Sequence, residues 1–258
     1  MFRFLLLLLL FFGTHAYALE AHHANYILSL YKSTPGSGIN EIDGKSSYKL
    51  RKNCNGWDTI DELSVVFKSI NNSESRLSSK WRTFETFSGS SYQFDLEEEI
   101  NEKKTNQFFG YVNTFEGVNL AKYFSDKEYS MPLETKIEFP MMQLRNIILA
   151  AEDNQKIYSS NVFMGSELLD SYRVVTAIIG QEKKYTKRIF QNELFQSSYW
   201  PISIAYFNPN LQSEKPDYTI KAKLQRNGVI TEYIIFYGDF SILLNLTSIE
   251  SIDQKKCN

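Results

Sequence analysis

Histidine is almost missing from this chain. It has three in 258 residues, and His15 lies in an N-terminal stretch that reads as a leader. The remaining pair, His22 and His23, are adjacent, so on a strand they point to opposite faces, which is poor geometry for a shared metal ion. A Ser-His-Asp or Cys-His arrangement would have to recruit one of them. H-E-x-x-H, G-x-S-x-G and a phosphate-cradling glycine loop are absent as well. With no such motif, the sequence points to no metal and no cofactor. Basic clustering is also missing: 28 Lys and Arg stand among 30 Asp and Glu, largely interspersed, which excludes the cationic stripe of a nucleic-acid binder.

Long apolar runs are missing with one exception. Phe4–Phe12 is an unbroken run of nine residues, well short of the roughly 20 that a membrane-spanning helix needs. Arg3 precedes it, Gly13 and Thr14 follow, and Ala16-Tyr17-Ala18 places small residues where a signal peptidase reads. This is the layout of a cleavable secretory signal over residues 1–18. The expected mature chain is then residues 19–258, a single domain with no transmembrane segment, 27 basic and 30 acidic residues and a net charge near −3.

Cysteine is scarce too, with only Cys54 and Cys257. An even count in an exported chain favours a bridge; two unpaired buried thiols are the alternative. A bridge would tie the C-terminal tail to the first fifth of the mature chain. In the chain-entropy picture a loop of that length adds on the order of 5 kcal/mol as an upper figure.

What the chain does have is alternation. Ala24, Tyr26, Leu28 and Leu30 share one face of a strand, and His23, Asn25, Ile27, Ser29 and Tyr31 the other. Residues 42–52, 61–71, 79–87, 91–100 and 107–115 repeat the pattern, with Gly89, Gly110 and Gly117 near the expected breaks. Near the C-terminus, Tyr218–Leu224 and Val229–Tyr237 flank Asn227-Gly228, the favoured pair of a type I′ hairpin turn. One stretch changes period: from Pro140 to Ala151, Leu144, Ile147, Ile148 and Ala151 fall at i, i+3, i+4 and i+7. The expectation is therefore a mainly β fold, one large curved antiparallel sheet with a single covering helix near 140–152.

Other residues carry less. Glu97-Glu98-Glu99 reads as a solvated strand end, and Asp239 as a turn aspartate. A carboxylate pair acting as a hydrolase stays open in principle, and it would need two Asp or Glu side chains about 5 to 10 Å apart in a cleft. Trp57, Trp81 and Trp200 fit a β core before a cavity wall.

These same segments resemble the EipB family of Gram-negative periplasmic proteins associated with cell-envelope integrity. The matching blocks are His23–Leu30, Cys54-Asn55-Gly56-Trp57, Trp81, Ser91–Phe94, Phe139-Pro140, Gly165-Ser166, Trp200–Phe207, Asn227-Gly228-Val229, Tyr237–Phe240 and the near-terminal Cys257. They keep the family's order and span essentially the whole mature chain. The resemblance implies a β-spiral or open barrel, similar to the carriers LolA and LolB and to RseB-type domains. It also implies a Cys54–Cys257 bridge, a stress-related role in the periplasm without enzymatic activity, and a tetratricopeptide-repeat protein, a lipid or a lipoprotein as partner. Where the family's helix opens with Thr and soon carries a His, this chain has Met141 and Gln143. If the concave face is open, Leu144, Ile147, Ile148, Trp81 and Trp200 are the candidate lining residues. If it is filled, those residues form a core.

Overall fold

Alternating burial along each strand builds a sheet with one apolar inner face. A computed structural model describes residues 19–115, 118–210, 214–253 and 257; the expected leader and Gly117 lie outside the described residues. The first half is an antiparallel meander of β1 (His22–Ser33), β2 (Ile39–Lys52), β3 (Gly56–Ser69), β4 (Glu74–Thr86), β5 (Ser91–Ile100), β6 (Lys103–Phe115), β7 (Val118–Phe124) and β8 (Glu128–Leu133). The helix α1 (Pro140–Glu152) follows. A second meander runs through β9 (Ile157–Phe163), β10 (Tyr172–Ile179), the two-residue β11 (Lys183–Lys184), β12 (Ser198–Phe207), β13 (Tyr218–Leu224), β14 (Ile230–Phe236) and β15 (Phe240–Ser251).

The two meanders join in the middle, because β15 pairs with β1 along nearly its whole length. One open sheet results, running from β8 at one edge through β1 and β15 to β9 at the other. It is mainly β, antiparallel and covered by one helix, as the sequence implies. The strands outrun the expected segments: β3 starts at Gly56 rather than at 61, and Gly110 lies inside β6 rather than at a break. A side chain at Gly110 would strike the Phe94 ring and the Lys122 carbonyl, so glycine here serves close packing, not a turn.

The Asn227-Gly228 turn also differs from expectation. Gly228 has φ +88° while Asn227 does not enter the left-handed region, and Gly228 N–H donates to the Gln225 carbonyl at 3.0 Å. With Gln225 N–H on the Val229 carbonyl, this is the three-residue loop in which a type I turn precedes a left-handed glycine. Asn227 turns inward instead, its side-chain amide donating to the Leu194 carbonyl at 2.8 Å.

Among the described residues hydrogen bonds do not close the sheet into a barrel; packing brings its two ends together. Phe139 and Phe163 lie against Tyr92 and Phe94 on the inner face of β5, and the Tyr92 hydroxyl donates to the Met164 carbonyl at 2.6 Å. The result is a spiral whose far edge laps over its own beginning. Cys54 and Cys257 are joined, with Cα atoms 5.5 Å apart. The bond links the β2–β3 turn to the tail beyond β15, which β1 has already brought alongside.

Candidate functional site

The concave face has two differently finished ends. At the first, α1 lies on a filled core. Ile147, Ile148 and Trp200 are buried there beside Trp57, Leu50 and Ile202, with Leu144 packed partly buried against them. The Arg226 guanidinium covers the Trp200 ring at 5.1 Å and pairs with Glu152 at 2.9 Å. Of the five candidate lining residues, Trp81 faces an open cavity, and Trp200 borders a separate polar cleft beside Glu152 and Arg226. Leu144, Ile147, Ile148 and Trp200 pack in the core beneath the helix, where α1 meets residues of β10, β12 and β13.

The start of α1 explains how it is held without Thr or His. Pro140 has no N–H to satisfy. The next two, Met141 and Met142, donate to the two carboxylate oxygens of Glu85, each at 2.8 Å. Glu85 belongs to β4 and is fully buried, so the cap is supplied by tertiary structure. Burial pushes its carboxyl up to about 7 against the lowering effect of the two N–H groups.

Beyond the helix the concavity stays open. A cavity of about 450 Å³ is walled by Leu28, Leu63, Val65, Leu77, Ile235 and Leu244 together with aromatic side chains. That volume is in the range of small-molecule sites. The loop after β9 brings Ser166 to its wall. Arg173 anchors this loop: its side chain is 6% exposed and pairs with Glu167 and Asp217, each at 3.1 Å.

Two carboxylates enter the lining. Glu98 accepts from the Asn106 amide at 3.3 Å. Asp61 lies on β3, where Tyr48 of β2 and Trp81 of β4 are its register partners. Burial is the main cause that raises its carboxyl to about 6, with the Glu62 charge adding to the rise and a 3.3 Å hydroxyl bond from Ser46 opposing it. Tyr233 lines the same end, and burial raises its phenol well above the usual range. The Trp81 indole nitrogen is buried without a partner among the described residues.

The remaining sequence candidates lie elsewhere. His22 is buried, with Nδ1 2.7 Å from the Glu20 carbonyl, and burial lowers its pKa. His23 contacts the Ser47 hydroxyl at 2.9 Å. Glu97 binds Arg82. Asp239 is exposed and acts through its backbone, its carbonyl accepting from Thr34 N–H at 2.8 Å. Glu98, read with its neighbours as a solvated strand end, instead lines the cavity; Asp61 and Glu85 escape motif reading but carry a signal. Each falls on the inward parity of a strand, Asp61 between Thr59 and Leu63 and Glu85 after Trp81 and Thr83.

Fold and site together define an open, barrel-like β protein with a ligand-sized cavity on its concave side. A crystal structure of a β-barrel-like protein of a domain of unknown function (DUF1849) from Brucella abortus superposes with a TM-score of 0.86. It shares 25% identity, and the match covers 92% of this chain and 99% of that one. Residues 14–253 match the EipB-like family model, and the chain belongs to that family. The cell envelope integrity protein EipB of Brucella abortus strain 2308 is 26% identical over 245 residues, covering 93% of this chain and 87% of the relative.

Proposed function

We propose that this chain is an exported periplasmic protein that supports cell-envelope integrity without catalysis, by holding the apolar part of a lipid or lipoprotein in its concave cavity. The cavity itself carries the reading: an open space walled mainly by aliphatic and aromatic side chains, at the end of the sheet that α1 leaves uncovered. The name of the Brucella relative supports the envelope role, and the leader-like residues 1–18 support export.

A carboxylate-based hydrolase fits less well. Asp61 and Glu98 share the cavity, but they stand two strands and one inward-facing step apart. That separates their backbones by about 12 Å on ordinary sheet spacings. Each has a local polar contact, Ser46 or Asn106, and no strand register aligns the two.

The test is fluorescence of N-phenyl-1-naphthylamine, a neutral apolar probe, titrated with the oxidised protein. The expected result is saturable enhancement that a lysophospholipid displaces. Absence of saturable enhancement would overturn the reading.

A further inference from the structure

The amphiphile reading says nothing of the head group, and the charged side chains of the cavity wall do. Among the described residues both charged side chains in its lining, Asp61 and Glu98, are acidic, and no Lys or Arg contributes to it. Glu98 already has an amide donor. Asp61 has only the long 3.3 Å bond from Ser46 to Oδ1, and no cation pairs with it among the described residues. Asp61 is half-buried on the wall of an apolar cavity, and a carboxylate partly withdrawn from water without a positive partner is unfavourable, so its placement here suits a cationic partner from outside the chain. Aromatic rings surround it: Tyr48 and Trp81 are its neighbours in register, and Trp81 and Tyr233 face the cavity. A carboxylate among aromatic faces is the chemistry that recognises ammonium groups.

Resting on the amphiphile reading, we infer that the cavity selects molecules bearing a protonated amine, the ammonium seated on Asp61 beside Trp81 and Tyr233. The aliphatic body then runs along Leu63, Val65 and Leu244, away from α1. Charge complementarity decides the occupant: an anionic head would meet two carboxylates and no cation, and a neutral head would leave Asp61 unpaired.

The experiment compares dodecylamine, dodecanol and dodecanoate as competitors of N-phenyl-1-naphthylamine at about pH 7.5, below their aggregation limits. Dodecylamine should displace the probe at a concentration on the order of tenfold below dodecanol, with dodecanoate weakest. Asp61→Asn should erase the gap between amine and alcohol while leaving alcohol binding in place. Dodecanoate displacing as well as the amine overturns the inference, as does an Asp61→Asn protein that keeps the amine preference. Equal binding by all three compounds defeats the head-group inference alone. Failure of the probe itself to bind defeats the amphiphile reading and this inference with it. Should Asp61→Asn not fold, the ranking measured on the unmodified protein decides the matter.

Discussion

Strand β3 passes through both ends of the concavity. Trp57 and Thr59 are buried near the helix end, whereas Asp61, Leu63 and Phe67, two to ten residues further along the same inner face, line open space. At the helix end every element adds filling: α1 from above, Trp200 from β12, and Glu85 tying the helix start to β4. At the open end the Ser166 loop, held by Arg173, reaches the cavity wall. Stability and binding are therefore assigned to neighbouring stretches of one strand, and a mutation can be aimed at either.

Truncation should separate the two ends most strongly. Trp200→Ala removes a buried ring from a filled core and should cost about 3–5 kcal/mol, read as a lowered urea midpoint. Leu77→Ala, on the cavity wall, should cost about 1–2 kcal/mol, since part of its surface already faces open space. Equal costs would erase the distinction. Reduction of Cys54–Cys257 comes next. The bridge lies beside Gly56 and Trp57 at the filled end, and losing it should cost about 2–5 kcal/mol with probe binding largely retained in the protein that stays folded. The oxidised chain should migrate faster on a non-reducing gel, and dithiothreitol should abolish the difference. Identical migration would argue against the bridge.

Acidity probes the same contrast through Glu85. Its carboxyl is raised from an ordinary 4.5 to about 7 in the folded protein, so between those values the native state holds a proton that the unfolded chain has released. Folded stability then falls as pH rises through that window, by about 3 kcal/mol for this group. Asp61, raised from 3.8 to about 6, acts in the same direction by a smaller amount because it is partly open to the cavity. The unmodified protein should therefore lose stability from pH 5 to pH 8 relative to Glu85→Gln, measured by thermal unfolding of both. A difference that does not change with pH would refute the assignment.

Period-two alternation is enough to place the early strands, the β13–β14 hairpin and the inward face of β1, because those properties are local. The helix was legible for the same reason. Three features were not. The cavity's position depends on where the lapping ends of the spiral meet, a contact between Phe163 and Phe94 that no window of sequence contains. The helix cap comes from Glu85, 56 residues before Met141. Arg173 pairs with Asp217 across β12 and the turn beyond it. Asp61 and Glu85 were visible only as charged residues on the wrong parity, a signal that has meaning once the inner face of each strand is fixed by its neighbours.

The smallest expected change in stability accompanies the largest expected change in binding. Leu63→Trp places an indole on the cavity wall, on the same face as Asp61 and opposite Ser79 and Ser46 across the neighbouring strands. In a filled core such an enlargement costs about 1–3 kcal/mol because side chains must leave their rotamers. Here the added ring has about 450 Å³ of open space to enter, so stability should shift by less than about 1 kcal/mol. The ring would occupy the path between the mouth and Asp61, and probe binding should fall below detection. The matched enlargement at the filled end, Ala177→Leu, starts from a residue with no exposed surface and should show the reverse: clear destabilisation, with binding kept in the folded fraction. If Leu63→Trp destabilises as much as Ala177→Leu, the open end is packed in solution and the concavity is a core throughout. If it leaves binding intact, the probe binds elsewhere and the cavity is not the site.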